Sequence, residues 1–384
     1  MSKKRLTAID LFSGAGGFSL AAHDSGFEVL AAIEFDQSAA ETYRKNLVER
    51  LGAPTQVFAQ DITKVDVNAI MQCQGIKSQE LDLLLGGPPC QGFSSHRINN
   101  TGVDDPRNAL LLRYFDFVAQ LKPKAFLVEN VPGLLWPRHE KYLKDFLKLA
   151  HDHGYQVVTG GPLIINARDY GVPQNRRRAF IFGVREDING ESIQWPPDPA
   201  QKGKWVTASE VFEKPSEEVL AQFKKRLVEK FDFAKEEACD RVDGLSWGDP
   251  LQSNDPCNQH MMHSSELTKV FERTPLLGSR DESGRVLNCH KDYKGHKDVY
   301  GRIFPHLPSN TITTGCNNPS KGRFVHPWLP HGISLRHAAR LQTFPDDYVF
   351  TGGSMAMAKQ IGNAVPIKLG QALISQISNL LSAT

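Results

Sequence analysis

A leucine-rich apolar run, Leu81 to Leu85, stops at two glycines, two prolines and a cysteine: LDLLLGGPPCQGFS, residues 81–94. A short apolar run bounded by turn residues is the pattern of a strand buried on both faces, as in a parallel sheet. Gly86, Gly87, Pro88 and Pro89 end the strand and stiffen the turn beyond it. Cys90 therefore falls just past the carboxyl end of a buried strand, where open α/β sheets carry their reactive groups. The competing reading is a buried structural thiol. The rigid, glycine-rich surroundings favour a thiol presented in a fixed direction.

A chain of 384 residues is long enough for two domains, or for one domain with an insertion. Its net charge of +2 means that any basic surface is local. No apolar run has the length of a membrane span, and Asp10 interrupts the apolar part of the N-terminus, so neither a membrane anchor nor a signal peptide is expected. Six scattered cysteines without a C-x-x-C pair fit free thiols in a reducing cytoplasm.

The first half alternates strand and helix. Leu6 to Phe12 reads as a strand, Ser13 to Gly17 as a glycine loop and Phe18 to Ser25 as a helix. The run from Glu28 ends in Glu34, 20 residues after Gly14. Strand, glycine turn, helix, strand and acid make the nucleotide-binding half of a doubly wound fold, in which the acid takes ribose hydroxyls. The G-x-G-G spacing departs from the dinucleotide fingerprint and favours an adenosyl ligand without a pyrophosphate. Val57 to Gln60 is a third strand, followed by Asp61, which either holds an adenine amino group or caps the next turn. The polar segment Gln91 to Arg107 is long for a connection and reads as a lid. Asn108 to Gln120 is a helix, and Lys124 to Val128 is a strand ending in Glu129-Asn130-Val131-Pro132, a second polar group delivered to a proline-braced turn. Tyr155 to Asn166 and Ala179 to Arg185 read as a final pair of strands. Between them, Arg176 and Arg178 either lie on a solvated turn or point together at an anion or base edge.

The alternation stops at Gln194 to Pro199. Cys289 to Arg302 is basic with interleaved tyrosines, as phosphate-contacting surfaces are, and Pro308 to Gly315 carries hydroxyls suited to base edges. Cys257, His260 and His263 have a metal-like spacing but no fourth ligand nearby, so no metal is expected. Two helices flank Gly362-Asn363-Ala364-Val365-Pro366, and the last, Ile367 to Leu381, is amphipathic and expected to pack on the first domain.

These stretches together resemble a known family. DLFSGAGGFSLA, DIT, GGPPCQGFS, ENV, QNRRR, RLQTFPD and QIGNAVP stand in the order and spacing of the carbon-5 cytosine-specific DNA methyltransferases. The resemblance covers the chain outside about Asp187 to Pro308. It implies an α/β fold: a Rossmann-like S-adenosylmethionine-dependent methyltransferase domain, residues 1–186 with 326–384. A smaller, irregular target-recognition domain, 187–325, precedes the C-terminal helices. It also implies the site. Cys90 is the nucleophile at carbon 6 of a flipped cytosine, Glu129 bonds the base at N3 and its amino group, and Arg178 with Arg176 steadies the base oxygen. Phe12, Gly14 and Gly16 shape the cofactor loop, Glu34 takes the ribose, Asp61 and Ile62 hold the adenine, Pro89 flanks the site, and Asn363 closes the cofactor pocket. Ser94, Arg107, Thr311 and Thr313 contact DNA.

The expected activity is methyl transfer from S-adenosylmethionine to carbon 5 of cytosine in a specific duplex sequence, leaving S-adenosylhomocysteine. The expected setting is a monomer in the bacterial cytoplasm, beside a separate cognate restriction enzyme. The alternatives are a tRNA cytosine methyltransferase on the same scaffold and a non-catalytic DNA-binding relative. The sizeable insert favours duplex DNA, and the presence of Cys90 and Glu129 favours an enzyme.

Overall fold

The computed structural model describes residues 5–89, 109–199, 203–284 and 298–383. Cys90, Ser94, Arg107 and the expected lid lie outside them, as does most of the basic stretch from Cys289. The chain divides into two compact units. The first holds residues 1–170, 177–200 and 364–384; the second holds 171–176 and 201–363. The units part at other places than 187 and 326: residues 187–200 group with the first, and 326–363 with the second.

The first unit is built on a sheet whose described strands run in the order β3 (Gln56–Phe58), β2 (Phe27–Ile33), β1 (Leu6–Leu11), β4 (Leu83–Gly86), β5 (Ala125–Asn130), β8 (Arg177–Arg185) and β6 (Tyr155–Val157), with β7 (Leu163–Asn166) also on β8. β1, β2, β3, β4 and β5 are mutually parallel. Parallel strands covered by helices on both faces must be apolar throughout. The central β4 and β5 are accordingly buried at every position. The helix Ala109–Leu121 is fixed to β4 by Tyr114, whose hydroxyl donates to the Leu84 carbonyl at 2.8 Å. Gly86 makes room for that ring: a Cβ there would meet Tyr114 at 2.6 Å.

The order reverses between β1 and β4, the arrangement that opens a crevice at the carboxyl ends of the strands. β8 (Arg177–Arg185) runs antiparallel to β5, with Glu129 opposite Phe180 and Asn130 opposite Ala179. The start of β8 therefore lies at the same edge as the end of β5. The expected strand Tyr155 to Asn166 is two pieces on β8, β6 (Tyr155–Val157) and β7 (Leu163–Asn166), because Thr159-Gly160-Gly161-Pro162 turns between them. The last helix packs as expected. Gly370 sits against Ala21 of the helix after the glycine loop, so close that a Cβ would approach it to 2.7 Å.

The second unit holds helices and irregular chain; none of the named strands falls in it. Without a ladder, its buried carbonyls need side-chain donors. Arg302, 3% exposed, supplies them, donating to the carbonyls of Phe271, Thr274, His326 and Leu329 at 2.6–2.9 Å. Its burial pulls the guanidinium down to about 10.

Candidate active site

Four parallel strands deliver the expected cofactor residues to one edge. After β1, Phe12, Gly14 and Gly16 all take positive φ (58°, 56° and 91°), so the loop coils tightly before the helix at Gly17. Glycine takes such angles without strain. Glu34, just past β2, accepts from the Gly14 N–H at 2.8 Å and from the Asp36 N–H at 2.7 Å. A carboxylate thus holds the glycine loop to the end of β2. A Cβ on Gly14 would meet nothing within 4 Å, so the space in front of the loop is open. Phe35, next to Glu34 in the chain, is 71% exposed.

Asp61 is the cap that its alternative reading proposed: its Oδ1 accepts from the Thr63 N–H at 2.9 Å and the Thr63 hydroxyl at 2.8 Å. Those bonds, the backbone one foremost, hold its carboxyl below the usual range. Capping occupies one carboxylate oxygen. Ile62 is buried beside it. Val365 of the GNAVP stretch lies on the glycine loop, for a Cβ on Gly17 would meet its carbonyl at 2.8 Å.

The reacting edge is at β4 and β5. Asn130 donates to the Pro88 carbonyl at 3.3 Å, tying the end of β5 to the proline turn that leads to Cys90. A Cβ on Gly87 would lie 3.5 Å from Glu129 Oε2, so the carboxyl stands beside that turn, with Pro89 half-buried two residues on. Glu129 is 8% exposed, and Arg178 Nε lies 3.0 Å from its Oε1. A buried carboxyl group and a half-buried guanidinium beside it at a sheet edge can bind a planar polar ring through neighbouring polar groups.

A family model described as C-5 cytosine-specific DNA methylase matches residues 6–379. The chain belongs to that family. It is a DNA (cytosine-5-)-methyltransferase and uses S-adenosylmethionine. The chain is 30% identical to the Type II methyltransferase M.AgeI of Thalassovita gelatinovora, over 98% of this chain and 100% of that one. It is equally identical to M.XorII of Xanthomonas oryzae, over 98% and 85%. Among solved structures, one described as a prophage-encoded DNA modification methyltransferase of E. coli superposes with a TM-score of 0.68 at 23% identity, covering 98% and 99% of the two chains. That likeness confirms the Rossmann-like methyltransferase fold.

Of the other residues predicted for the methyltransferase, Arg176, Thr311, Thr313 and Asn363 belong to the second unit. Arg176 and Arg178 do not share a partner. Arg176, 1% exposed, donates to the carbonyls of Ile312 and Gly362 at 3.0 and 3.1 Å. Strand alternation would pair the two arginines, but β8 begins only at Arg177. The chain before it pairs Gln174 with Ser309 instead. The Thr311 hydroxyl donates to the Asn175 carbonyl at 2.7 Å. Thr313 backs onto Gly362, and Asn363 ends its helix exposed.

Cys257, His260 and His263 do not converge. Cys257 is buried, His260 stacks on His331 at 4.0 Å, and His263 accepts from the Gly332 N–H. Among the described residues only Glu213, His326 and His337 bring three ligating atoms within 4.8 Å of one another. His326 Nδ1 accepts from the N–H groups of Trp328 and Leu329, and His337 Nδ1 accepts from Ser334 N–H. Each ring therefore carries its proton on Nε2, and His337 donates it to Glu213. Burial first, together with neighbouring positive charge, lowers both histidines and keeps them neutral. A metal would need those Nε2 lone pairs free.

Asp10 is not among the residues that the sequence singles out for the site. Asp10 is buried behind the glycine loop, where Ser19 donates to it at 2.7 Å and burial raises its carboxyl to about 7.

Proposed function

We propose that the enzyme methylates a cytosine extruded from a specific duplex sequence, through a transient bond between Cys90 and carbon 6. The observation that carries this reading is the Glu129–Arg178 pair against the Gly87–Pro89 turn. It supports a pocket that receives a base edge two to three residues from the thiol.

Carbon 5 of cytosine is a weak nucleophile. When the Cys90 thiolate adds to carbon 6, the ring's electron pair moves to carbon 5, and protonation or hydrogen bonding at N3 by the Glu129 carboxyl group lets the ring accept that charge. Arg178 orients the base oxygen and Glu129 together. Once carbon 5 carries the methyl group, it loses its proton to water, the carbon 5–carbon 6 double bond re-forms and the Cys90 sulfur leaves as thiolate. None of this is possible inside a stacked duplex, so the base is flipped, at about a few kcal/mol for unstacking.

Glu34, Asp61, Ile62, Phe12, Gly14, Gly16, Pro89 and Asn363 hold S-adenosylmethionine, and the open, carboxylate-backed space at Gly14 fits its ribose. When bound, it supplies a methyl group made electrophilic by the sulfonium. No metal is required by this chemistry.

The segment 187–325 reads the target sequence, with Thr311 and Thr313, and with Ser94 and Arg107 of the lid, touching DNA. Arg176 acts by holding Ile312 and Gly362 in place. The Type II names of the relatives support a modification enzyme; a separate restriction enzyme, a monomeric state and a cytoplasmic setting belong to the proposal. No helix among the described residues is long and apolar enough to cross a membrane.

Transfer of labelled methyl groups to duplex DNA and to tRNA tests the reading. Label in duplex DNA, lost on Cys90→Ala, supports it; label confined to tRNA, or undiminished in Cys90→Ala, refutes it.

A further inference from the structure

Past Glu129 the chain runs through two tight turns, Pro132–Leu135 and Pro137–His139. Such turns rise about 2 Å per residue, so Arg138 lies within roughly 20 Å of Glu129. Arg138 is exposed, yet fixed by two neutral groups. Its guanidinium stacks over the Trp136 ring, 4.7 Å from the centroid. Its Nε donates at 2.9 Å to His139 Nε2. His139 is 3% exposed, and burial, then the arginine itself, lowers its basicity and keeps it an acceptor.

This is an unusual state for a surface arginine. Long side chains resist immobilisation, and a fixed guanidinium normally faces a carboxylate. Among the described residues no carboxylate pairs with Arg138, and the adjacent acid, Glu140, is bound to Lys144 at 2.8 Å. Stacking and the Nε bond leave the two terminal nitrogens as an open planar fork. That fork matches two oxygens of one phosphate.

We propose that Arg138 binds a backbone phosphate of the substrate DNA near the extruded cytosine, with Trp136 and His139 presenting it. The contact rests on DNA being the substrate. It fixes the register of the duplex against Glu129 without reading sequence, as phosphate contacts do.

The test uses the full chain, two unrelated 30-base-pair duplexes and binding measured over a range of salt. Each neutralised phosphate contributes about −0.9 to the slope of log K against log salt. Arg138→Ala is expected to make the slope shallower by about one and to weaken both duplexes by the same several-fold factor. S-adenosylmethionine affinity and the thermal midpoint should stay put. Arg138→Lys should recover the slope and only part of the affinity. Trp136→Ala should keep the slope and lose affinity. An unchanged slope in folded Arg138→Ala overturns the proposal. So does an unchanged slope with weakened S-adenosylmethionine binding, which would assign the fork to the cofactor's carboxylate. Methyl transfer to DNA surviving in either case would leave the proposed function standing.

Discussion

Arg178 Nε stands 3.0 Å from Glu129 Oε1, and the two side chains reach each other because β8 runs antiparallel to β5. In a fully parallel sheet the start of β8 would lie at the opposite edge. The inversion brings a cation from the beginning of one strand to an acid at the end of another. Glu129→Gln keeps the shape and replaces a carboxyl group that can exchange a proton with an amide that cannot. Turnover should fall about 10²- to 10⁴-fold. S-adenosylmethionine affinity, read by calorimetry, should stay within about twofold. A large loss of cofactor binding would move Glu129 to the cofactor site.

Glu34 serves two purposes that a single variant separates. Glu34→Ala should weaken S-adenosylmethionine about 10- to 100-fold, as loss of a charged hydrogen-bond acceptor does. It should also lower stability by about 1–2 kcal/mol, because the Gly14 and Asp36 N–H groups lose their partner. Calorimetric titration and denaturant unfolding measure the two effects. Unchanged affinity would mean that Glu34 only braces the loop.

Asp10 gives a pH signature. Its carboxyl is raised from an ordinary 3.8 to about 7, first by burial. Between those values the folded state holds a proton that the unfolded chain has released. Stability from this group is therefore full below about pH 4 and is lost as pH rises through 7. Asp10→Asn keeps an acceptor for Ser19 and cannot ionise. The variant should match the wild type near pH 4 and exceed it by on the order of a few kcal/mol above pH 8. Equal unfolding curves at both pH values would contradict the assignment.

Gly362 is needed for space. A Cβ there would meet the Thr313 carbonyl carbon at 2.3 Å. Gly362→Ala should cost about 1–3 kcal/mol or more. Arg176, which donates to both Ile312 and Gly362, ties the same contact. Thermal unfolding checks the loss, and a neutral result would contradict the packing.

Much of the first unit was legible because its signals are local. The apolar run before Gly86 and the one before Glu129 are the central strands, and Glu34 stands at the end of the second strand as the pattern implies, though its bond to the Gly14 N–H was not foreseen. What was not legible depends on partners distant in sequence. Arg176 and Arg178 differ because the strand starts between them, and only the pairing of Gln174 with Ser309 shows why. The histidines of the second unit meet through loops with no period: His326 and His337 find Glu213 more than a hundred residues away, while Cys257, His260 and His263 separate. At Asp61 the cap is visible, and it uses one of the two carboxylate oxygens.

The central claim is a covalent bond from Cys90 to cytosine. A PCR product carrying 5-fluorocytosine at every cytosine contains the target whatever its sequence, and fluorine at carbon 5 blocks the proton loss that would release the sulfur. Incubated with the enzyme and S-adenosylmethionine, it should give a denaturant-stable complex whose proteolytic peptide carries the nucleotide on Cys90. No complex, or one that persists unchanged in Cys90→Ala, would contradict the account.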